Sequence, residues 1–255
     1  ERLRVKTNED VMQMRADGSA RLAGVVEGMR VRTSQKGNKY AFVQLSDASG
    51  QFEITVFSEV LAQARELLTP GKAVLIKAGV QVTVFNQRSV PEIFSMLFQV
   101  AAMVNQAEQG KAMLDRMRAD IEHIRQASAA WPRRPKVYFE EWDEPRISAI
   151  RWVSELIGIA GGDDIFPELA QKPLGKDRIL SNDQPILNAA PDIVIGSWCG
   201  KKFRPEKVAQ RPGWQAVPAV AHGQLFEIKS ADILQPGPAA LTDGLRQLHH
   251  IMQQW

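Results

Sequence analysis

Four carboxylates lie within five residues in the segment EEWDE, residues 140–144. Two carboxylic acids held on opposite sides of a glycosidic bond can act as acid and base in its hydrolysis. Here one short segment supplies all four groups, and no second acidic site that would face them is identifiable. The cluster is therefore typical of a solvated or partner-facing loop, and we expect no glycosidase chemistry from it.

Residue types that bind metals or act as nucleophiles are few and scattered. Cys199 is the only cysteine, which excludes an internal disulfide, and no Cys or His accompanies it at metal-site spacing. His249 and His250 are adjacent in a predicted terminal helix, and no base is placed to activate Cys199. The segment GSWCG matches neither a GxSxG elbow nor a phosphate-binding loop. We therefore expect no catalytic residues, no metal site, no cofactor and no enzymatic activity.

The positive charge of the 255-residue chain is concentrated in its first third. Residues 1–82 carry 12 Lys and Arg against 9 Asp and Glu, whereas the remainder carries 20 of each. This excess mildly favours a polyanionic partner for the first third, although a solvated surface also explains it. No run of about 18 apolar residues occurs, so we expect no membrane insertion. No apolar signal-peptide segment is visible at the start of the sequence.

Strand-type alternation dominates the first third. Three predicted strands are separated by the turn sequences QKGN (35–38) and DASG (47–50). A short helix then begins after Ser58 and ends at Pro70, and KAVLIKAGVQV predicts a fourth strand. This order predicts a small Greek-key barrel of the OB type. Its fifth strand has only VTVF (82–85) as a candidate, so we leave open a barrel with an unpaired edge.

The segment from RLAGVVEGMRVRTSQKGNKYAFVQLSDASG through QFEITVFSEV resembles the OB-fold region of the bacterial DNA polymerase III alpha subunit. The resemblance covers about residues 1–82 and implies single-stranded DNA binding, without the catalytic carboxylates of the polymerase. OB-folds bind strands through basic grooves and exposed aromatic side chains. The alternative interpretation is that Phe42 belongs to the core and that the charges form a solvated edge. The candidate nucleic-acid-binding residues are Arg30, Arg32, Lys36, Lys39, Tyr40 and Phe42.

Beyond residue 85 the apolar periodicity changes from strand to helix. Ser89 and Pro91 are typical of a helix start, and helical spacing then continues for about thirty-five residues with a break expected near Gly110. KVYFE, DIVIGS and LFEIK follow as short apolar runs separated by predicted helices. Strands that alternate with helices predict a parallel sheet in an α/β layer structure, with ligands bound at the carboxyl ends of the strands.

The segments VYFEEWDEP, IRWVSELIGIAGGDDIFPE, NAAPDIVIGSWCGKKF and ILQPGPAALTDGL resemble the cobalamin and ferric-siderophore class of ABC-transporter substrate-binding proteins. The resemblance covers about residues 83–255 and does not include the first lobe of that family. It implies a remnant strand and long connecting helix at 83–130, followed by a three-layer C-terminal lobe at 131–255. By position, the implied ligand-wall residues are Glu141, Trp142, Arg151, Trp152, Trp198, Lys201 and Gln235.

Tryptophan faces suit a flat macrocycle or a catechol, and Lys or Arg suits propionamide oxygens or an anionic chelate. The alternative interpretation is that Trp152 and Trp198 are packing residues of the α/β core. The resemblance also implies that Glu206 could form a salt bridge with an ABC permease, although a solvated glutamate is an open alternative.

Three hypotheses for function follow. The chain is a non-catalytic carrier lobe for cobalamin or a ferric siderophore behind an OB module, or a single-stranded-DNA-binding module with an α/β passenger. The third hypothesis is an artificial or accidental fusion without an integrated function. The C-terminal resemblance implies a periplasmic location and the N-terminal one a cytoplasmic location, so the sequence leaves the localisation open.

Overall fold

The computed structural model describes residues 4–34, 37–80, 85–104 and 106–255. The chain divides into two compact units, Glu1–Val84 and Phe85–Trp255. Among the described residues, no helix combines the length and apolar character needed to cross a membrane. The overall class is the predicted one, a β unit followed by an α/β unit.

The N-terminal unit is built on an antiparallel sheet in the order β3-β2-β1-β4. The long strand β1 pairs with β4 through its first half and with β2 through its second half, with a bulge at Glu27. Gly24 lies where these pairings meet, and a Cβ there would lie 2.9 Å from the carbonyl oxygen of Ser46. The elements are α1 (Asn8–Met12), β1 (Gly18–Thr33), β2 (Lys39–Asp47), β3 (Gly50–Val56), α2 (Ser58–Ala64) and β4 (Ala73–Val80).

Alternation along β2 separates a core face from an outward face. Ala41, Val43 and Leu45 are fully buried, whereas Tyr40 and Phe42, which alternate with them, are half-buried on the opposite face. The strands follow the predicted OB order, and the described strands form an open sheet with unpaired edges, the alternative left open above, because β3 and β4 do not pair with each other. Most of the candidate fifth strand, residues 82–84, lies outside the described residues.

Two helices open the C-terminal unit, α3 (Val90–Met103) and α4 (Ala107–Ala129). Ser89 caps α3 in a reciprocal capping box with Glu92. The helices fold back on each other, and a Cβ on Gly110 would lie 2.4 Å from the Cβ of Ala101. The predicted break near Gly110 is therefore wrong in position. The interruption follows Met103, and Gly110 instead allows the two helices to approach closely.

The remaining elements form the α/β layer structure. Strands β5, β7, β8 and β9 are parallel, and β6 pairs antiparallel with the edge of β5. The main sheet runs in the order β6-β5-β8-β9. The elements are β5 (Lys136–Asp143), β6 (Arg146–Ser148), α5 (Arg151–Ala160), β7 (Asp163–Asp164), α6 (Pro167–Ala170), α7 (Gln184–Ala189), β8 (Ile193–Gly196), α8 (Pro205–Ala209), α9 (Pro218–Ala221), β9 (Leu225–Glu227), α10 (Ser230–Ile233) and α11 (Leu245–Gln253).

Both faces of this sheet are covered. Val137 and Phe139 of β5 join a core formed with α3, α4, α5 and α11, whereas Tyr138 between them joins a second core around Trp214. Fully buried parallel strands need apolar side chains on both faces, which is why DIVIGS and KVYFE are continuous apolar runs. The layers bring the carboxyl ends of β5, β8 and β9 to one edge of the sheet.

Candidate functional site

The first candidate site lies at the carboxyl edge of the C-terminal sheet. Trp142 and Asp143 end β5, and the 197–204 loop follows β8. The Lys201 ammonium lies 4.4 Å from the centroid of the Trp142 ring and 3.2 Å from Asp143 Oδ1. The indole nitrogen of Trp142 donates to the carbonyl oxygen of Glu144 at 2.7 Å, which fixes the plane of the ring. The cation therefore lies over one face of the aromatic ring at the strand ends.

Two small openings flank the 197–204 loop. One, of about 250 Å³, is lined by Trp198, Lys201, Lys229 and neighbouring backbone. The other, of about 370 Å³, is lined by Lys202, Phe203, Arg204, Pro205, Glu206 and Glu227. Glu227 lines both openings, so cations and carboxylates alternate around this edge.

A fully buried carboxylate lies directly beneath this edge. Glu140 accepts hydrogen bonds from both terminal guanidinium nitrogens of Arg211 at 2.8 Å. It also accepts from the Tyr138 hydroxyl at 3.0 Å and the Trp198 indole nitrogen at 3.1 Å. Burial opposes the charge of Arg211, but the hydrogen bonds and charge of Glu140 outweigh it and raise the pKa of Arg211. Burial, reinforced by the charge of Glu140, raises the pKa of Tyr138 well above its usual range.

A second buried pair joins Glu141 to Arg178. Their side chains approach to 2.8 Å, and the Glu141 carboxylate also accepts the Ile150 amide at 2.6 Å. Arg178 donates in addition to the carbonyl oxygen of Ser148. Burial raises the pKa of Glu141 despite the neighbouring arginine. The carboxylate expected to line the ligand wall is therefore engaged by the protein itself.

The other expected wall residues are dispersed. Trp152 is buried in the main core, and its indole nitrogen donates to the Ile233 carbonyl oxygen at 2.9 Å. Trp152 is therefore a packing residue, the alternative interpretation given above. Trp198 is 5% exposed but still lines an opening. Arg151 is exposed and pairs with Glu155 at 2.8 Å on the same helix, and Gln235 is exposed after α10. Among the expected wall residues, Trp142 and Lys201 form a direct pair.

Glu206, the candidate permease contact, is exposed in the first turn of α8. It lies 3.4 Å from Arg204, and its pKa is lowered by its own backbone amide and by that arginine. It also lines the larger opening beside the 197–204 loop. Its position is compatible with a surface contact, although the pair with Arg204 is an ordinary solvated one.

The second candidate site is the outward face of β1 and β2. Pairing sets Arg30 opposite Phe42 and Arg32 opposite Tyr40, and directly opposed residues share one face of an antiparallel sheet. The Tyr40 and Phe42 rings meet edge to face with centroids 5.5 Å apart. Arg30 reaches Glu53 of β3 at 2.8 Å, while its side chain stays 64% exposed.

The face therefore unites four of the six candidates for nucleic-acid binding. Phe42 is half-buried on the side opposite the core, so the alternative that placed it in the core does not describe this structure. Lys39 lies opposite Thr33, one residue from Tyr40, and belongs to the other face at the strand end. Lys36 lies outside the described residues.

Comparison with known families decides the relationship of the chain. The family model described as periplasmic binding protein matches residues 59–231, well over half of the chain. The chain belongs to the periplasmic binding protein family. A second model, described as an OB-fold nucleic acid binding domain, matches residues 20–96 of this periplasmic binding protein, so the two matches overlap.

The N-terminal unit has curated relatives of a different kind. The DNA polymerase III alpha subunit of Caulobacter vibrioides is 46% identical over 70 residues, which are 27% of this chain and 6% of that protein. The alpha subunit of Pseudomonas aeruginosa is 39% identical over 59 residues, 23% of this chain and 5% of that protein. The match thus spans only a small part of these relatives, and the resemblance of the first third to the OB region is confirmed.

Solved structures resemble about two thirds to three quarters of this periplasmic binding protein. S. aureus IsdE complexed with heme has a TM-score of 0.56 at 19% identity, covering 68% of each chain. The vitamin B12-binding protein BtuF of Vibrio cholerae has a TM-score of 0.53 at 19% identity, covering 76% of this chain and 69% of its own. At these identities the likeness establishes the fold alone, and it confirms the predicted substrate-binding-protein architecture.

Proposed function

We propose that the C-terminal unit is a non-catalytic binding lobe for a metal-containing macrocycle or chelate, a corrinoid or a ferric siderophore. The observation that carries the proposal is the pair of Trp142 and Lys201 at the carboxyl edge of the sheet. In α/β proteins ligands bind outside the carboxyl ends of the strands. An aromatic face beside an ammonium group suits a ligand with a flat ring or catechol and polar or anionic oxygens.

The similar structures are consistent with this ligand class. The names of two of them refer to heme and to vitamin B12, both of which are metal macrocycles. A single lobe supplies one wall of a cleft, so we expect weaker binding than a two-lobed carrier would give, because enclosure contributes to affinity. Delivery of the ligand to an ABC permease would then use the surface around Glu206.

Titration of the full chain with cyanocobalamin, hemin and a ferric tris-catechol chelate, followed by tryptophan fluorescence, tests the proposal. We expect at least one of them to bind and Trp142→Ala to weaken it about tenfold, the scale of one aromatic contact. Trp255→Ala is a matched control, because Arg133 lies 5.0 Å from the Trp255 ring in a comparable cation–π pair outside the candidate site. Absence of binding, or equal effects of both variants, would overturn the proposal.

A second function is favoured by the outward face of the N-terminal unit. We propose that Arg30, Arg32, Tyr40 and Phe42 bind single-stranded nucleic acid, with bases stacked on the two aromatic rings. Base stacking on aromatic side chains contributes about 1–3 kcal/mol per base without sequence preference. The ion pair of Arg30 with Glu53 reduces the positive field of this face, so we expect modest affinity.

Binding of fluorescein-labelled oligo-dT, measured by anisotropy over a range of salt concentrations, tests the second function. We expect Phe42→Ala to weaken binding about tenfold and Arg32→Ala to reduce the salt dependence. Phe57→Ala is the control, because Phe57 is 70% exposed in the same unit but lies outside this face. An affinity that changes neither with salt concentration nor in Phe42→Ala or Arg32→Ala would refute the second function. Failure of both the oligonucleotide and the chelate titrations would favour a fusion without an integrated function.

A further inference from the structure

One buried carboxylate clamps a surface segment at both of its ends. Trp198 begins the segment that follows β8, and Arg211 ends it beyond α8, yet both donate to the same Glu140 carboxylate. Both ends of segment 198–211 are therefore bonded to the same residue of β5, although Glu140 is 58 residues from Trp198 and 71 from Arg211 in sequence. The segment carries Lys201, the cation of the candidate ligand site.

Two polar attachments of the segment lie nearer the solvent. Lys201 reaches Asp143 with a side chain that is 51% exposed, and the Phe203 amide donates to Glu227 at 3.0 Å. Exposed pairs contribute little to stability, whereas a buried pair with several hydrogen bonds restricts the groups that it joins. The fully buried Glu140 thus holds the two ends of the segment, while the buried side chains of Phe203 and Val208 anchor its middle in the second core.

The packing around the clamp is consistent with this role. The Trp198 and Phe203 rings meet edge to face at 5.1 Å, and Arg211 lies 4.8 Å from the Trp214 ring. Trp198 bears the indole group that is bonded to Glu140, so a change at the carboxylate is transmitted directly to the start of the loop. Lys201 is three residues further, and its amide donates to the Trp198 carbonyl at 3.2 Å.

We propose that Glu140 and Arg211 are positioning residues that hold segment 198–211 in the conformation that presents Lys201 beside Trp142. The inference rests on the proposed ligand site for its purpose, but its structural content is independent of the ligand. Loss of the clamp would spread Lys201 over several conformations. The apparent affinity for a ligand falls by the fraction of molecules that remain binding-competent.

Cys199 offers a direct probe, because it is exposed within the segment and is the only cysteine of the chain. A nitroxide label at Cys199 is expected to give a restricted spectrum in the otherwise unaltered protein and a several-fold more mobile one in Glu140→Gln. Glu141→Gln is the matched control, because it breaks the neighbouring buried pair with Arg178, outside segment 198–211. We expect Glu141→Gln to lower stability and to leave the label spectrum unchanged.

Two further variants guard against misfolding of Glu140→Gln. Trp198→Phe removes only the indole donor and keeps the Glu140–Arg211 pair, and Glu140→Gln/Arg211→Gln removes both charges together. Each is expected to mobilise the label while circular dichroism remains that of the parent chain. Spectra unchanged in the folded variants, or mobilised equally by Glu141→Gln, would overturn the inference.

Hemin and cyanocobalamin titrations of the unlabelled variants separate the inference from the proposed function. We expect roughly tenfold weaker binding in Glu140→Gln/Arg211→Gln if about a tenth of the molecules keep the competent conformation. If the parent chain binds neither probe, the proposed function fails, and the label spectra still decide whether Glu140 positions the segment. Undiminished binding with a mobilised label would overturn the presentation of Lys201 to the ligand.

Discussion

Arg30 in the N-terminal unit and Arg211 in the C-terminal unit each contact a glutamate at 2.8 Å, but their surroundings differ. The Arg30 side chain is 64% exposed and its partner Glu53 is 39% exposed, whereas Arg211 is 10% exposed and Glu140 is fully buried. The first pair lies on the exposed face of the N-terminal sheet that we propose binds nucleic acid. The second lies beneath the carboxyl edge of the C-terminal sheet and does not itself face solvent.

The difference shows two ways of building a binding surface. In the N-terminal unit, strand alternation alone brings Arg30, Arg32, Tyr40 and Phe42 to one face, and each side chain is available directly. In the C-terminal unit, the exposed groups at the edge lie on loops, and buried pairs from distant parts of the chain lie beneath them. Removing a charge should therefore affect binding in the first unit and stability in the second.

The largest effect is expected from Arg211→Ala. It leaves the Glu140 carboxylate buried without its cation, and breaking such pairs typically costs about 3–5 kcal/mol. Arg30→Ala in the N-terminal unit should cost at most about 1 kcal/mol, because exposed ion pairs contribute little. Urea unfolding of the full chain, followed by circular dichroism and tryptophan fluorescence, measures both.

Equal losses in these two variants would contradict the contrast between the units. Arg204→Ala serves as a further control, because its pair with Glu206 is exposed and lies close to Arg211 in the same unit. If it proved as costly as Arg211→Ala, burial would not be the cause of the difference.

A smaller effect is expected from Gly196→Ala at the end of β8. A Cβ there would lie 1.9 Å from the Phe203 ring, which is itself buried, so the ring and the 197–204 loop must shift. Such overpacking costs about 1–3 kcal/mol. Gly28→Ala on β1 has open space around it and should stabilise the chain by about 0.5 kcal/mol. Thermal unfolding compares the two, and a neutral Gly196→Ala would show that the loop adapts freely.

Sequence reasoning reached the features that depend on local pattern. Period-two alternation predicted the strands of the first third, and the apolar runs predicted three of the parallel strands and their carboxyl ends. The start of α3 followed from Ser89 and Pro91, whose capping preferences act within one helical turn. These signals are local because backbone conformation and side-chain direction are coupled over a few residues.

The features that sequence reasoning missed depend on contacts between distant residues. Nothing in EEWDE distinguishes the buried Glu140 from the exposed Glu144, and its partner Arg211 lies 71 residues away. The three-residue strand β6 was not predicted because its pairing with β5, and not periodicity, stabilises it. Gly110 was interpreted as a helix break because the crossing of α3 and α4 that requires it is not encoded in one helix alone.

One helix in each unit begins with a capping box, α1 in the N-terminal unit and α3 in the C-terminal unit. Ser89→Ala should cost about 1 kcal/mol, because Ser89 caps a helix whose Val90, Ile93 and Phe94 are buried. Thr7→Ala removes the equivalent cap of α1, which buries no residue, and should cost about half as much. Urea unfolding of the full chain tests this order, and a larger loss for Thr7→Ala would contradict it.

The smallest effects concern pH and should have opposite signs in the two units. Hydrogen bonds from Ser49 and from the amides of Asn8, Ser49 and Gly50 lower the pKa of Asp47. Its contribution to stability is therefore full above the unfolded pKa, about 3.9, and is lost as the pH falls through the lower folded value. Asp47→Asn should consequently lower the melting temperature more at pH 7 than at pH 3.

Glu141 in the C-terminal unit should behave in the opposite way, because burial raises its pKa. Its folded form takes up a proton more readily than its unfolded form, so the associated stability is full below about pH 4.3 and is lost as the pH rises through the folded pKa. Glu141→Gln should therefore lower the melting temperature more at pH 3 than at pH 7. Melting curves of the parent chain and both variants at the two pH values test the signs. If both variants lowered the melting temperature more at pH 7, the attraction of Arg178 would outweigh the burial of Glu141, and the pKa of both carboxylates would be lowered in the folded protein.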